Sequence, residues 1–234
     1  MSPTSPVAII TGAGSGIGRA TATLLSARGY RLGLIGRRAE KLNGTGAVLT
    51  TPWLAVPANI ANSDQLQRAI DTVATQFGRV DVLVNNAGAA PLGPIDRLGP
   101  DIIRECFETN AIAPAIAVAH TWPIFKRQKS GCIINISSMS TVDPFQGLAV
   151  YAAAKASVNM LAQACAKEGK PLGIRAFAIA PGAVETDMLR ANFPTTSLPT
   201  AKTLSPEAVA KVVLSCILGE RDTENGATIL LPSP

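Results

Sequence analysis

Short apolar segments alternate with longer amphipathic segments along the chain. The apolar runs predict strands near 7–11, 31–36, 53–57, 80–85, 131–137, 173–180 and 227–231. Patterns with helical spacing predict helices near 16–29, 63–77, 101–129, 150–169 and 205–219. The second of these helices has a clear apolar face, formed by Leu66, Ile70, Val73 and Phe77. This alternation predicts parallel strands that are joined by helices.

The predicted fold class is α/β: a three-layer, doubly wound parallel sheet of about seven strands, with helices on both faces. The chain has 234 residues, enough for one core, and no linker rich in Pro, Gly and Ser divides it. We therefore expect a single domain over 1–234. In such a sheet, ligands bind at the carboxyl ends of the strands, so motifs at strand ends are the candidates for function.

A glycine-rich turn follows the first predicted strand, in the run from Thr11 to Gly18. Glycines allow close approach of the backbone to a ligand, and the N-terminus of the next helix offers free N–H groups to an anion such as a pyrophosphate. The key glycines, Gly12, Gly16 and Gly18, have one more residue between the first and second than the usual dinucleotide fingerprint. A turn of this kind alone is weak support, because many β-to-α turns use glycine for steric reasons.

Three polar residues form a second candidate site. Tyr151 and Lys155 are four residues apart and so project from one face of a helix, and Ser138 lies thirteen residues before the tyrosine. A nearby ammonium favours the phenolate and should lower the tyrosine pKa from about 10. The serine hydroxyl can bond to a carbonyl oxygen. These residue types are typical of a proton-transfer site, although Tyr151 and Lys155 alone would also fit an ordinary helix surface.

Taken together, these motifs resemble those of the short-chain dehydrogenase/reductase family, in its single-domain branch. The matching residues occur in the family's order: Thr-Gly-x-x-x-Gly-x-Gly at 11–18, Asn85-Asn86-Ala87-Gly88, Asn110, Ser138, Tyr-x-x-x-Lys at 151–155, and Pro181-Gly182 with Thr186. The resemblance implies a Rossmann-like fold, a nicotinamide dinucleotide cofactor, and hydride exchange between a carbonyl and an alcohol.

The resemblance also assigns roles to individual positions. It implies that Asn110, Ser138, Tyr151 and Lys155 are catalytic, with Tyr151 as the proton donor and Lys155 lowering its pKa. It implies cofactor contacts from Gly12, Ser15, Gly16, Ile17, Gly18, Arg37, Asn59, Ile60, Asn86, Ala87, Gly88, Tyr151, Lys155, Pro181, Gly182, Val184 and Thr186. Ser137 is not assigned a catalytic role, because neighbouring side chains on a strand point in opposite directions.

The end of the second strand bears on the choice of cofactor. Relatives that prefer NAD commonly have an acidic residue where this chain has Gly36, and here Arg37 follows at once. A guanidinium can pair with the 2′-phosphate of NADP, so we expect NADP, with NAD less favoured. The alternative is a solvated arginine pair. Asn59-Ile60 replaces the family's frequent Asp-Val, which leaves the placement of the adenine open.

Composition excludes several other classes of protein. The four cysteines are far apart and His120 is the single histidine, so we expect no metal site and no Ser-His-Asp hydrolase. The net charge is +5, but the basic residues are scattered, which argues against nucleic-acid binding. The apolar stretch at 111–119 is too short to span a membrane. The first six residues lack the features of a secretion signal, so we expect a cytoplasmic protein.

The substrate and the assembly are less clearly indicated. Candidate substrate walls are 89–94, 139–148 and 188–204, whose apolar residues suit a fairly apolar carbonyl or alcohol. We expect a homodimer through the helices at 101–129 and 150–169, or else a homotetramer. Two alternatives remain open: a noncatalytic NADP-binding sensor, which would not need Ser138, Tyr151 and Lys155 together, and an epimerase or dehydratase, which would normally need a larger C-terminal part.

Asn110 and Pro114 form a further pair with a predicted consequence. In a helix the Asn110 carbonyl would accept from the N–H four residues later, but that residue is a proline and has no N–H. In the family, an asparagine at this place holds a water that links the lysine to solvent, and a carbonyl without its regular partner suits that water. Alternatively, Pro114 merely kinks a long helix.

Overall fold

The protein is a Rossmann-like α/β domain. The computed structural model describes residues 5–234; the first four residues, part of the N-terminal segment considered above for secretion, lie outside them. Within this range, seven parallel strands form one sheet in the order β3-β2-β1-β4-β5-β6-β7. Their bounds are β1 Val7–Thr11, β2 Arg31–Gly36, β3 Trp53–Pro57, β4 Val82–Asn85, β5 Gly131–Ile136, β6 Ile174–Pro181 and β7 Thr228–Leu231.

Helices cover both faces of the sheet. They are α1 Gly16–Ala27, α2 Ala39–Gly46, α3 Ser63–Phe77, α4 Pro100–Phe107, α5 Ala113–Gln128, α6 Ala149–Gly169, α7 Asp187–Asn192 and α8 Pro206–Ile217. The core on one face joins the strands to α1, α2 and α8, and the core on the other face joins them to α3, α5 and α6. The five inner strands β2, β1, β4, β5 and β6 are almost fully buried between these layers, which explains why they are apolar along their length, whereas the edge strands β3 and β7 are partly exposed.

The sheet order reverses between β1 and β4, and this reversal positions the site. From β1 the chain runs outward through β2 and β3, then returns to β4 on the other side of β1 and continues to β7. A crevice opens at the carboxyl ends of the strands where such an order reverses. The glycine turn follows β1 and the Asn85-Asn86 segment closes β4, so both border this crevice.

The predicted helix over 101–129 is wrong as one continuous α-helix. It consists of α4, a π-turn over Glu108–Ile112, and α5. Within the π-turn, the N–H of Ala113 donates to the Glu108 carbonyl, five residues earlier. The physical cause is Pro114, which cannot donate to the Asn110 carbonyl, so the backbone widens by one residue before the helix resumes.

Other elements differ from the predictions in smaller ways. Strand β4 begins at Val82 rather than at residue 80, and α2 and α7 were not predicted at all. Both helices are short, and in α2 Gly44 and Gly46 interrupt the apolar pattern. Among residues 5–234, every helix is too short or too polar to cross a bilayer.

Candidate active site

The glycine turn is shaped so that side chains would not fit. Gly12 and Gly16 have φ of +66° and +51°, in the left-handed region that glycine adopts without strain. A Cβ on Gly12 would lie 2.8 Å from the Ala87 Cα, and one on Gly16 would lie 2.9 Å from the Thr186 methyl group. The turn therefore brings bare backbone close to the ends of β4 and β6.

The N-terminus of α1 is open toward the cleft. Ser15 is its N-cap, but within the described residues its side chain makes no capping hydrogen bond. The first turn of α1 also contains no acidic residue. Free N–H groups and the positive end of the helix dipole therefore face the crevice beside Gly14 and Gly16. This arrangement fits the pyrophosphate of a dinucleotide.

Side chains at the end of β4 hold the turn in place. The Asn86 amide donates to the carbonyls of Thr11 and Gly12, at 2.9 and 3.2 Å. The Thr11 hydroxyl in turn accepts from the backbone N–H groups of Asn86 and Ala87, at 3.0 and 3.1 Å. The ends of the two central strands are therefore tied together beneath the ligand position.

Three cations line the cleft at the end of β2. Arg37, Arg38 and Lys41 are exposed cleft residues. Within residues 5–234, none of the three makes an ion pair or a side-chain hydrogen bond. A group of unpaired cations at the wall of a cleft gives this wall a positive potential, which favours an anionic ligand.

Ser138, Tyr151 and Lys155 meet on the other side of the same cleft. Ser138 follows β5, while Tyr151 and Lys155 lie one turn apart on α6. The Lys155 Nζ lies 5.8 Å from the centroid of the Tyr151 ring and donates to the Ile136 carbonyl at 2.8 Å. The neighbouring Ser137 hydroxyl donates instead to the Lys155 carbonyl at 3.4 Å, so the two serines have different partners, as strand alternation predicts.

The expected lowering of the tyrosine pKa is not found. Burial raises the pKa of Tyr151 to about 12, and a hydrogen bond from Ser138 opposes the rise only in part. Burial also lowers the pKa of Lys155 to about 8. The physical reason is that desolvation disfavours both charged forms, while the ammonium group is bonded to a backbone carbonyl rather than to the phenol oxygen.

Asn110 and Gly18 do not line the cleft. Asn110 is completely buried, and its amide binds both backbone groups of Ala89: Nδ2 donates to the carbonyl at 2.7 Å, and Oδ1 accepts from the N–H at 3.2 Å. Gly18 is a packing position, because a Cβ there would lie 2.3 Å from the Gly12 carbonyl oxygen. Both residues therefore support the backbone that borders the cleft without lining the cleft themselves.

The remaining predicted contacts border the cleft, with some of their polar groups already engaged. The Asn59 Oδ1 accepts from the N–H of Ala61 at 3.2 Å, which leaves its amide N–H groups for a ligand. The Thr186 hydroxyl caps α7 by accepting from the Leu189 N–H at 3.2 Å. The predicted residues that the structure brings to one cleft of about 1260 Å³ are Gly12, Ser15, Gly16, Ile17, Arg37, Asn59, Ile60, Asn86, Ala87, Gly88, Ser138, Tyr151, Lys155, Pro181, Gly182, Val184 and Thr186.

The sequence profile of the short chain dehydrogenase family matches residues 6–197 of this chain. The chain belongs to this family. An uncharacterised oxidoreductase of Staphylococcus aureus (strain USA300) is 32% identical over 212 residues, which are 90% of this chain and 90% of that protein. An uncharacterised oxidoreductase of Bacillus subtilis (strain 168) is 34% identical over 187 residues, which are 79% of this chain and 73% of that protein.

Solved structures of oxidoreductases share the fold of this short-chain dehydrogenase. Levodione reductase superposes with a TM-score of 0.91 and 26% identity, covering 97% of this chain and 96% of that one. A 3-ketoacyl-(acyl-carrier-protein) reductase from Brucella melitensis in complex with NADH also gives 0.91 and 26%, covering 99% and 98%. An actinorhodin polyketide ketoreductase variant with NADPH gives 0.90 and 25%, covering 99% and 97%. This dehydrogenase is therefore an NAD(P)-dependent oxidoreductase.

The segment 188–204, called the lid below, contributes one wall of the dehydrogenase cleft. The Asn192 amide donates across the cleft to the Ala90 carbonyl at 2.8 Å. Phe193 packs edge-to-face on Phe145, with ring centroids 5.3 Å apart. Arg190 holds the lid together because its guanidinium binds the Glu185 carboxylate and donates to the Leu198 carbonyl at 2.6 Å.

Several cleft residues of this short-chain dehydrogenase were not predicted from its sequence. Arg38 and Lys41 line the cleft together with Arg37, and the acidic residues Glu105, Asp143 and Asp187 line other parts of it. Ser233 packs on Gly182, where a Cβ would lie 2.7 Å from its backbone nitrogen. The pair Arg37-Arg38 followed by Lys41 three residues later could have indicated the first group from the sequence. The others are brought together only by the tertiary fold.

Proposed function

We propose that the chain is an NADPH-dependent carbonyl reductase that converts a ketone or an aldehyde into an alcohol. The observation that carries this proposal is the meeting of Ser138, Tyr151 and Lys155 in a cleft whose other end has the glycine turn and unpaired cations. When bound, NADPH supplies the hydride for the carbonyl carbon. The geometry of the chain's own residues accounts for the other parts of the reaction.

In this proposal Ser138 holds the carbonyl oxygen and Tyr151 donates the proton to it. The raised pKa of the phenol, about 12, keeps Tyr151 protonated at neutral pH, as a proton donor must be. Lys155 contributes a positive charge that favours the phenolate once the proton has left. We propose that Lys155 also holds the nicotinamide ribose. We propose that Asn110, which is buried next to the cleft, supports the transfer of a new proton from solvent to Tyr151 through Lys155.

The preference for NADP over NAD is supported by the cations at the end of β2. Gly36 places no carboxylate there to repel a 2′-phosphate, and Arg37, Arg38 and Lys41 line the wall. The open N-terminus of α1 and Gly12 fit the pyrophosphate in the same cleft. NAD would use the same turn but would leave this cluster of positive charge without a partner.

The test of the proposal is the Tyr151→Phe variant, assayed by NADPH oxidation at 340 nm against a panel of ketones, quinones and sugars. The change removes the transferable proton and little surface, so kcat should fall by about 100-fold or more, with NADPH affinity nearly intact. The matched control is Tyr30→Phe, since Tyr30 lies outside the cleft and should leave kcat unchanged. Retention of more than about a tenth of kcat in Tyr151→Phe, equivalent to about 1.4 kcal/mol, would refute the assigned role. If the wild type oxidises no NADPH with any compound of the panel, the noncatalytic sensor would instead be favoured.

We further propose that the protein forms a homodimer through α5, α6 and the π-turn. These elements border an open apolar groove that is lined by four alanines, Ser157, Ile112, Ile116, Met160 and Leu161. Ile112 and Met160 are 42% and 62% exposed. An apolar patch of small and flexible side chains allows the same helices of a second copy to approach closely, as a two-fold interface requires.

A further inference from the structure

We propose that the substrate is an uncharged carbonyl compound and that Asp143 and Glu105 discriminate against anionic ones, such as keto acids and phosphate-bearing ketones. This inference rests on the proposed reductase function and specifies the substrate class of the same cleft. Its basis is the uneven distribution of charge along the cleft together with the apolar walls of the lid.

The charged residues that line the cleft are separated by sign. The cations Arg37, Arg38 and Lys41 follow β2, whereas Asp143 lies in the segment after β5 and Glu105 on α4. Strand β2 is three positions from β5 in the sheet, and strands are about 4.8 Å apart. The ends of β2 and β5 are therefore roughly 14 Å apart, which exceeds the screening length of about 8 Å at physiological ionic strength.

The carboxylates in this part of the cleft are not neutralised by an ion pair with any residue of the described range 5–234. Within residues 5–234, Glu105, Asp143 and Asp187 make no ion pair, and all three are exposed. The nearby cations are engaged elsewhere. Arg190 is bound to the Glu185 carboxylate and to two lid carbonyls, and the buried Lys155 donates to the Ile136 carbonyl.

The surfaces between the carboxylates are apolar. Phe145 and Phe193 form the edge-to-face pair across the entrance, and Leu148, Met188 and Leu189 also line this end. Apolar walls favour a neutral, fairly apolar body, and uncompensated carboxylates in a cleft with low-dielectric walls repel an entering anion. A substrate that carries a carboxylate or a phosphate would lose affinity here, while its neutral ester would not.

The experiment compares ethyl benzoylformate with benzoylformate as substrates for the wild-type enzyme and NADPH. The neutral ester should have the higher kcat/KM. Raising the salt to about 1 M, where the screening length falls to about 3 Å, should lower the ratio of kcat/KM for the ester to kcat/KM for the acid.

Because the ester and the acid also differ in intrinsic reactivity, the decisive variant is Asp143→Asn with Glu105→Gln. It should reduce the ester-to-acid ratio by about tenfold, equivalent to about 1.4 kcal/mol.

A matched control removes the same two charges elsewhere. Asp96→Asn with Glu168→Gln changes exposed residues outside the cleft and should leave the ester-to-acid ratio unchanged. If the cleft variant also leaves the ratio unchanged, or if the wild type reduces the acid as efficiently as the ester, the inference is wrong while the reductase function stands. Binding of ethyl mandelate and mandelate to the NADP⁺-loaded protein, measured by calorimetry, separates the two proposals. If the protein binds ethyl mandelate more tightly than mandelate but reduces neither ethyl benzoylformate nor benzoylformate, the result would support the charge discrimination and refute the reductase function.

Discussion

Lys155 carries an amino group in a nearly buried position, with 4% of the residue exposed. Its hydrogen bond to the Ile136 carbonyl compensates the burial only in part, as the lowered pKa of about 8 shows. One pKa unit corresponds to about 1.4 kcal/mol, so at neutral pH the ammonium costs the folded state on the order of 3 kcal/mol. The proposed function explains why a costly residue occupies this place.

We therefore predict that Lys155→Met stabilises the protein while it abolishes turnover. Methionine fills a similar volume without a charge, so the free energy of unfolding at pH 7 should rise by about 1–3 kcal/mol, after loss of the hydrogen bond is included. For a chain of this size, each additional kcal/mol of unfolding free energy should raise Tm by about 2–4 °C. Lys167→Met, an exposed change on the same helix, is the control, and calorimetry is the measurement.

The pH dependence of this gain provides a second check. Because the folded pKa of Lys155 is lowered, the unfolded state binds more protons between pH 8 and 10.5, and the wild type gains stability as the pH rises through this window. The advantage of Lys155→Met should therefore shrink above pH 8. A constant advantage from pH 7 to 9.5, or a loss of stability in the variant, would contradict the assigned cost of burial.

Arg37 carries the second prediction at the scale of single residues. Replacement by alanine should weaken NADPH binding by roughly 10- to 100-fold, which corresponds to the ~1.5–3 kcal/mol of a charge-assisted hydrogen bond. NADH binding should barely change, because NADH has no 2′-phosphate. Titration of each cofactor by fluorescence measures both effects, and Arg68→Ala on the exposed face of α3 serves as the control. Equal losses for both cofactors would mean that Arg37 is structural.

At the scale of elements, local sequence signals predicted most of the strands and helices but not the break before α5. Continuous apolar runs placed the bounds of β1, β2 and β3 as they are found, and the single apolar face of α3 placed the bounds of that helix. Periodicity also runs through the segment from α4 to α5, and it cannot show that the backbone widens there. The absent N–H of Pro114 was visible in the sequence, but the π-turn depends on how the chain accommodates it.

We predict that Pro114→Ala impairs catalysis through this turn. An N–H at position 114 could donate to the Asn110 carbonyl and favour a regular helix, which would shift the Asn110 amide from its bonds to Ala89. In the proposed proton path, kcat should fall by up to about tenfold, or about 1.4 kcal/mol, and the solvent deuterium isotope effect should grow. NADPH affinity and Tm should change little.

Pro123 provides a control for the Pro114 variant within the same helix. It lies inside α5 on an exposed position, so Pro123→Ala should leave kcat and the isotope effect unchanged. If Pro114→Ala behaves in the same way, the proline determines only the shape of the helix, and the role proposed for Asn110 in proton resupply is not supported.

At the scale of the whole molecule, the fold class and the position of the candidate site were predictable because most of the motifs follow a strand of a parallel sheet, while Tyr151 and Lys155 lie on α6. Such strands end at one edge, so Gly12, Asn86, Ser138 and Thr186 had to lie near one crevice. Quantities that depend on packing were not predictable. The raised pKa of Tyr151 follows from burial, and the acidic residues that line the cleft come from three separate segments: α4, the segment after β5, and α7.

The proposed dimer gives the prediction at this scale. Met160 is 62% exposed in the apolar groove between α5 and α6, and a stable interface buries about 800 Å² on each partner. Met160→Asp would place charges from both copies near one two-fold axis, in a desolvated position. Sedimentation analysis should therefore show dimers for the wild type and monomers for the variant. Val48→Asp, at a 52% exposed apolar residue outside the groove, should leave the mass unchanged. A wild-type tetramer that the Met160 variant splits into dimers would mean that this face is one of two interfaces, whereas an unchanged mass would show that the assembly uses another surface.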